Sequence, residues 1–172
     1  MDLGSLLLKI ARGEYPIAGK PYAQKGEEII GIPEKGEIQK IRSVKDPESW
    51  EFVVHDHKAE RAGRHFDLRI GDPKTGHGHS WAMRSWPEKP GDKKLAVIQS
   101  THSIPYFEWS GKIESGYGAG DVAIADRRKV QIIKSTPSQI DFAPGPKELY
   151  TLLRTSARDG KAWLLINRSA HA

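Results

Sequence analysis

Short hydrophobic runs alternate with polar segments containing Gly, Pro or Asp from Trp50 to the C-terminus. The runs are rich in β-branched and aromatic residues, a pattern typical of strands in a compact β domain. The predicted strands are EFVVH (51–55), HFDLRI (65–70), SWAMR (80–84), LAVIQ (95–99), DVAIA (121–125), VQIIK (130–134), ELYTLL (148–153) and AWLLIN (162–167). Eight short strands with few helical stretches predict a mainly β fold, a small eight-stranded barrel or a sandwich with short flanking helices.

Two connections between these strands carry specific predictions. ADRRK, between the strands at 121–125 and 130–134, predicts a tight hairpin. SGYGAG (115–120) is rich in glycine but lacks the Lys-Ser/Thr of a phosphate-binding loop, and a strand rather than a helix follows it. Its glycines are therefore expected to permit a tight turn or a positive φ.

The first 49 residues have a different composition. Residues 20–49 are rich in Gly, Lys, Glu and Pro, which indicates an extended arm, whereas residues 3–12 predict a short amphipathic helix. We therefore divide the chain into an N-terminal arm (1–49) and a β domain (50–172). No apolar run approaches the length of a membrane span, and the three-leucine run after Asp2 is a poor signal peptide. We expect a cytoplasmic protein without a membrane segment.

The strand HFDLRI has two chemically different faces. Alternate side chains of a strand point to opposite sides, so Phe66, Leu68 and Ile70 are expected to pack in the core. The other side then carries His65, Asp67 and Arg69.

Histidines are concentrated around this strand. Six of the seven fall between positions 55 and 102: His55, His57, His65, His77, His79 and His102. If the strands ending in HDH and beginning with HFD form a hairpin, His57 comes close to His65 and Asp67, a ligand set that suits Mn, Fe, Co or Zn. The alternative is that these histidines are surface residues, and HGH (77–79), in a glycine-rich loop, fits that alternative.

Three further residues suggest an anionic ligand. A guanidinium beside a metal is favourable where an anion lies between them, so Arg69 would clamp a phosphate, although pairing with an acidic residue is an equal alternative. His102 and Tyr106, in THSIPYFEWSG, could both donate to phosphate oxygens, or His102 could transfer a proton. Packing of the loop explains the aromatic residues fully and His102 less well.

Composition narrows the chemistry. The 172-residue chain has a net charge of +5 and a pI of about 9.4, which weakly favours nucleic acid or another polyanion as partner. Cysteine is absent, so disulfides, thiolate zinc sites and a cysteine nucleophile are excluded within this sequence.

The ordered series FVVHDHKA, HFDLRI, SWAM, KKLAV, HSIPYFEWSGKIESGYGAGDV and WLLINR, from Glu51 to Arg168, resembles the 3′-phosphoesterase domain of DNA ligase D. The resemblance implies a β-barrel enzyme that uses Mn²⁺, with Co²⁺ or Zn²⁺ as alternatives. Such an enzyme removes a 3′-terminal ribonucleoside and then the 3′-phosphate from DNA or RNA-tailed DNA ends during end joining.

The resemblance also assigns roles to individual residues. Metal ligands fall on His57, His65 and Asp67, and the catalytic set adds Arg69, His102 and Tyr106. Contacts to the substrate phosphate fall on Arg69, His102, Tyr106, Arg84 and Lys94. The implied partners are a separate ATP-dependent DNA ligase and an end-binding protein, and we expect a monomer.

Several positions depart from the family pattern. The loop between His57 and His65 is two residues longer, so His55 is an alternative first ligand. Phe66 replaces a common Tyr, Ser100 stands at an acidic position, and residues 1–50 hold no counterpart of an Arg-Asp…Glu set that supports the diesterase step. These departures motivate an alternative function, a catalytically silent module that binds nucleic-acid ends or recruits a ligase. A cupin-like metal-binding barrel acting on small molecules is a third hypothesis.

Overall fold

The computed structural model describes residues 38–116 and 118–170, most of which lie in strands. The strands are β1 (Glu48–Ala59), β2 (Gly63–Asp72), β3 (His77–Met83), β4 (Lys93–Ser103), β5 (Gly111–Ile113), β6 (Gly120–Thr136), β7 (Gln139–Ala143), β8 (Tyr150–Arg154) and β9 (Ala162–Asn167). Two short 3₁₀ helices, Ile104–Glu108 and Ala157–Gly160, connect strands. The predicted helix at residues 3–12 lies outside the described residues.

Eight of the strands close into an antiparallel barrel. Their order is β1-β2-β3-β4-β9-β8-β7-β6, and β6 returns to pair with β1, while β5 adds a short extra strand to the start of β6. Closure leaves no free edges in the barrel wall. The mainly β, eight-stranded barrel is therefore confirmed, and the sandwich is excluded.

The interior of the barrel is filled by large apolar side chains from all eight strands. Trp50, Trp81 and Trp163 are among the fully buried side chains there, and Leu68 and Ile70 contribute the apolar side of β2. Because strand side chains alternate, the polar residues between these apolar positions face the outside of the barrel. The core therefore fixes which side of β1 and β2 carries the histidines.

The predicted ADRRK hairpin is wrong. β6 runs without interruption from Gly120 to Thr136, and its residues Asp126, Arg127 and Arg128 pair with β1. Ion pairs explain how a strand carries so many charges, since Arg127 contacts Glu51 and Arg128 contacts Asp126. The chain reverses later, between Thr136 and Gln139, which pair as the ends of β6 and β7. Neither β5 nor β7 was predicted.

The residues just before β1 pack on the end of the barrel. Ile41 and Val44 are buried within the core cluster, and Val44 exchanges two backbone hydrogen bonds with Ser135. Arg42 forms ion pairs with Asp72 and Glu48 and thereby joins this segment to two strands. The boundary at residue 50 stays a prediction.

Within the described part of the chain, no helix combines the length and the apolar character needed to cross a membrane.

Candidate active site

The pairing of β1 with β2 brings the polar residues of both strands together on the outer side of the barrel. His57 lies opposite His65, and His55 lies opposite Asp67. The short turn between the strands keeps this register, and the imidazole centroids of His57 and His65 are 4.6 Å apart. The hairpin predicted from HDH and HFD is confirmed.

Three buried side chains form a compact cluster that suits a metal ion. Oδ2 of Asp67 lies 3.5 Å from Nε2 of His65 and 3.7 Å from Nδ1 of His57. One ligand atom from each residue lies within 4.8 Å of the other two. Among the described residues, this is the set of His, Asp and Glu with the geometry to share one ion.

Backbone carbonyls orient both imidazoles of this cluster. Nε2 of His57 donates to the carbonyl of Gly118 at 2.6 Å, and Nδ1 of His65 donates to the carbonyl of Gly63 at 3.1 Å. A ring nitrogen that donates to a carbonyl fixes the tautomer, so the opposite nitrogen carries a lone pair. In the neutral imidazoles both lone pairs are directed toward Asp67, where they can bind a cation together with its carboxylate.

Charge inside the cluster favours a bound cation. Burial raises the pKa of Asp67, yet the imidazoles of His65 and His57 outweigh it and hold that pKa well below its ordinary value. Burial lowers the pKa of His65, but the Asp67 carboxylate outweighs burial and the net shift is upward. The site therefore attracts positive charge. Two imidazole nitrogens and one carboxylate oxygen fit a divalent transition metal.

Arg69 extends the polar row of β2 beyond the cluster. Its guanidinium is 3% exposed, its Nη1 lies 3.9 Å from Oδ2 of Asp67, and its Cζ lies 5.1 Å from the ring centroid of Tyr106. Nε and Nη1 have no hydrogen-bond partner among the described residues. Unpaired buried donors are costly, so these atoms are available to hydrogen-bond an anionic ligand.

A β-bulge in β4 brings His102 to the same side as the cluster. The pairing of β3 with β4 shifts from Ser80–Gln99 to Gly78–His102, so β4 holds one extra residue there. Because a bulge changes the alternation, Gln99 and His102 face the same side despite their odd separation. Nδ1 of His102 lies 3.4 Å from Oγ of Ser80. Burial, reinforced by Arg69, lowers the pKa of His102 well below its ordinary value, so the imidazole is neutral.

Tyr106 lies in a stack of rings above the site. Its ring is 4.7 Å from that of His102 and 5.6 Å from that of Trp109, nearly parallel to both. Burial raises the pKa of Tyr106 to about 12, against the opposing influence of Arg69. The phenol therefore keeps its proton and is a hydrogen-bond donor.

The 3₁₀ helix that carries Tyr106 is anchored through Phe107. Gly71 and Gly78 pair across β2 and β3, and Phe107 packs where their Cβ atoms would otherwise lie. The neighbouring Glu108 pairs with Arg127 of β6 at 2.7 Å. These contacts hold the segment that places Tyr106 beside Arg69 and His102.

The remaining predicted residues lie in different places. His55 is buried two residues from His57, but its Nε2 donates to the carbonyl of Trp109 and it lies outside the three-residue cluster. Arg84 is exposed and directly follows Met83, which pairs with Phe66 beside the site. Lys94 alternates with Ala96 and Ile98 of the core, so it lies on the opposite side of β4 from Gln99.

The surface interpretation of HGH is wrong for one of its histidines. His77 begins β3, whereas His79 is 2% exposed, and its ring lies 6.5 Å from that of Trp81. Burial lowers the pKa of His79 to about 4. Its alternation with Trp81 was the signal that could have revealed this. The expected positive φ in the glycine-rich segment is found at Gly116 and Gly120.

Sequence reasoning also missed Gln99, whose Nε2 donates to Oδ1 of Asp67 at 3.1 Å. It missed Gly118 as well, because only the folded segment places that carbonyl beside His57. The sequence shows that the apolar strand LAVIQ ends in a polar residue, Gln99. It does not show which residue Gln99 contacts.

Comparison with known proteins identifies the family of this chain. The family model of the DNA ligase D 3′-phosphoesterase domain matches residues 55–164, more than half of the chain. The multifunctional non-homologous end joining protein LigD of Pseudomonas aeruginosa is 38% identical over 78 residues, which cover 44% of this chain and 9% of that relative. The chain thus spans a small part of the relative's length. The family match includes every residue of the cluster, and the chain belongs to the 3′-phosphoesterase domain family of DNA ligase D.

Proposed function

We propose that this protein is a metal-dependent phosphoesterase that removes the 3′-phosphate from nucleic-acid ends before ligation. The observation that carries the proposal is the position of the unpaired donors Nε and Nη1 of Arg69, buried beside the cluster of His57, His65 and Asp67. A cation site next to a guanidinium with free donors fits a phosphate bound between two positive charges.

The cluster would hold a divalent cation through Nδ1 of His57, Nε2 of His65 and Oδ2 of Asp67. We propose Mn²⁺, with Co²⁺ or Zn²⁺ as alternatives. When bound, the ion supplies Lewis-acid character that withdraws electron density from the phosphoryl group and offsets negative charge in the transition state. The carbonyls of Gly63 and Gly118 select the tautomers in which the lone pairs of the neutral imidazoles lie on the two ligating nitrogens.

Arg69, His102 and Tyr106 would contact the phosphate from the other side. Arg69 donates to its oxygens through Nε and Nη1, the phenol of Tyr106 donates a further hydrogen bond, and the neutral imidazole of His102 can transfer a proton to or from the reacting oxygens. Arg84 and Lys94 are proposed as contacts to the nucleic-acid phosphates. Arg84 lies beside β2, which supports a contact to the nucleic acid. The support for Lys94 is weaker, because it lies on the opposite side of β4 from Gln99.

The proposed substrates are 3′ ends of DNA or RNA-tailed DNA. The positive net charge supports a polyanionic substrate, and phosphate contacts carry little sequence information, so we expect the end rather than the bases to be recognised. The proposed setting is end joining with a separate ATP-dependent DNA ligase and an end-binding protein. We propose that the protein acts as a monomer.

A primer-template with a 3′-phosphate tests the activity. We expect release of phosphate with Mn²⁺ and none after removal of divalent ions with a chelator. His65→Ala should abolish the reaction, whereas His77→Ala, a matched change at the start of β3, should retain it. Absence of phosphate release with Mn²⁺, Co²⁺ and Zn²⁺ alike, or equal activity of His65→Ala and the parent protein, would contradict the proposal.

The same assay distinguishes the proposed phosphoesterase from the alternative, a catalytically silent module that binds nucleic-acid ends. That alternative predicts salt-sensitive binding to labelled ends without turnover. A second primer that ends in a ribonucleotide tests the diesterase step, which the absence of a counterpart for the N-terminal acidic set makes the weaker of the two activities.

A further inference from the structure

A buried glutamine reaches the metal cluster from two strands away. Gln99 of β4 is 3% exposed, and its Nε2 donates to Oδ1 of Asp67 on β2 at 3.1 Å. The strand between them, β3, presents Ala82 opposite Asp67 and Ser80 opposite Gln99. Both are small, which leaves room for the long side chain of Gln99 to cross β3.

The orientation of the Gln99 amide follows from its contact with Asp67. The atom that lies 3.1 Å from Oδ1 of Asp67 is Nε2, and an amide NH₂ group donates hydrogen bonds whereas a carboxylate oxygen accepts them. The NH₂ group of Gln99 must therefore face Asp67, and the carbonyl Oε1 must face away. Oε1 has no hydrogen-bond partner among the described residues.

The unpaired carbonyl argues against a purely structural role for Gln99. A buried acceptor without a donor costs free energy, and an apolar side chain of similar length would fill the same space without that cost. The benefit of the amide lies in its NH₂ group, which occupies Oδ1 of Asp67. The other oxygen, Oδ2, is the one within 3.7 Å of both histidine nitrogens.

We propose that Gln99 is the positioning residue of the metal site. It fixes the carboxylate of Asp67 so that Oδ2 alone is offered to a divalent cation together with His57 and His65. This inference rests on the proposed function, because it presupposes that the cluster binds a cation. Partners that orient a ligating carboxylate are typical of metal sites, and their loss weakens metal binding.

Binding of Mn²⁺ alone, measured by titration calorimetry and by the electron paramagnetic resonance signal of free Mn²⁺, tests the role of Gln99. Gln99→Met keeps the length of the side chain and removes the donor, and we expect it to weaken Mn²⁺ binding about 10- to 100-fold. Gln99→Asn has a side chain too short to reach Asp67 and should weaken Mn²⁺ binding to a similar extent. It replaces Gln99→Met in this test if Gln99→Met does not fold.

A matched control removes an equivalent hydrogen bond elsewhere. Oγ1 of the buried Thr151 donates to Oδ1 of Asp141 at 2.7 Å, and neither residue belongs to the cluster. Thr151→Val should leave Mn²⁺ affinity unchanged. Equal losses in Thr151→Val and Gln99→Met would show a general effect of destabilisation and overturn the proposal.

A double-mutant cycle separates positioning from a general effect on the fold. If Gln99 acts through Asp67, adding Gln99→Met to Asp67→Asn should change Mn²⁺ affinity less than about threefold. The same 10- to 100-fold loss in both backgrounds would overturn the proposal.

The failure of this inference can be distinguished from the failure of the proposed function. Should His65→Ala abolish Mn²⁺ binding while Gln99→Met binds as the parent protein does, the role of Gln99 is refuted and the metal site stands. Should the parent protein bind none of Mn²⁺, Co²⁺ and Zn²⁺, the metal site is refuted, and the role of Gln99 with it.

Discussion

At the scale of single residues, His55 and His57 differ in what their imidazoles contact. The two share one face of β1, but Nε2 of His55 donates to the carbonyl of Trp109 and only His57 joins the cluster with His65 and Asp67. We therefore predict that His57→Ala weakens Mn²⁺ binding by about 100-fold or more, because one of three ligands is lost, whereas His55→Ala changes it less than about tenfold, as expected for a residue around a ligand set. Titration calorimetry of both variants gives the comparison.

The reverse order of effects would identify His55 as the ligand. The sequence left this choice open for a physical reason. Alternation along β1 puts both histidines on one side, and what separates them is the carbonyl of Gly118, sixty-one positions after His57. The alternation within HFDLRI, by contrast, is local, and it placed His65, Asp67 and Arg69 together on one side of β2.

His79 makes stability depend on pH. Burial lowers its pKa to about 4, whereas a histidine in an unfolded chain titrates near 6.5. At a pH between these two pKa values, the imidazole binds a proton in the unfolded chain but not in the folded protein. The free energy of unfolding therefore falls as the pH drops below about 6.5. From pH 7 to pH 5 this group should cost about 2 kcal/mol.

Urea unfolding at pH 7 and pH 5, with a chelator present, measures this cost. In His79→Gln the difference in the free energy of unfolding between the two pH values should shrink by about 2 kcal/mol. An unchanged difference would mean that the pKa of His79 is the same in the folded protein as in the unfolded chain.

At the scale of elements, the site depends on how the 3₁₀ helix Ile104–Glu108 rests on the sheet. A Cβ on Gly78 would lie 2.5 Å from Cε1 of Phe107 and 2.7 Å from the carbonyl oxygen of His102. We predict that Gly78→Ala displaces this helix, lowers the free energy of unfolding by about 1–3 kcal/mol and reduces phosphate release, because Tyr106 moves with Phe107.

Gly91→Ala is the matched control for Gly78→Ala. Gly91 has φ +90° and open space around its Cβ position, so the substitution costs about 1 kcal/mol of backbone strain without a clash. Phosphate release should remain unchanged in Gly91→Ala. Equal phosphate release by the two variants would show that the packing of Phe107 on Gly78 does not control the site.

The limits of sequence reasoning at this scale lie in irregular strands. Polar residues in ADRRK resemble turn chemistry, yet long-range pairs with Glu51 and Glu148 keep Arg127 and Arg128 within a strand. The β4 bulge likewise depends on pairing with β3. Strict alternation along β4 would put Gln99 and His102 on opposite sides, so no local pattern could have brought them together. Regular apolar runs such as 162–167 were predicted correctly because their signal is local.

At the scale of the whole molecule, barrel closure could be inferred from the number of strands and from the family resemblance, but the extent of the closed unit could not. Residues 20–49 are rich in Gly, Lys, Glu and Pro and hold few large apolar groups, which suggested an arm. In the fold, Ile41 and Val44 are 3% and 4% exposed, and Oγ of Ser135 donates to the carbonyl of Arg42 at 2.8 Å. Their burial depends on residues about ninety positions away in sequence, which no local pattern reveals.

Two shortened chains test whether this segment belongs to the barrel, one comprising residues 38–172 and the other residues 46–172. Because both lack residues 1–37, their difference reports only the segment at 38–45. The shorter chain exposes the core beneath Ile41 and Val44, so its free energy of unfolding should be lower. The burial of these two side chains contributes about 3 kcal/mol or more before the entropy of ordering the segment is subtracted. Urea denaturation measures this difference. Equal stability of the two chains would instead support a domain boundary near residue 50, with the preceding residues acting as an arm.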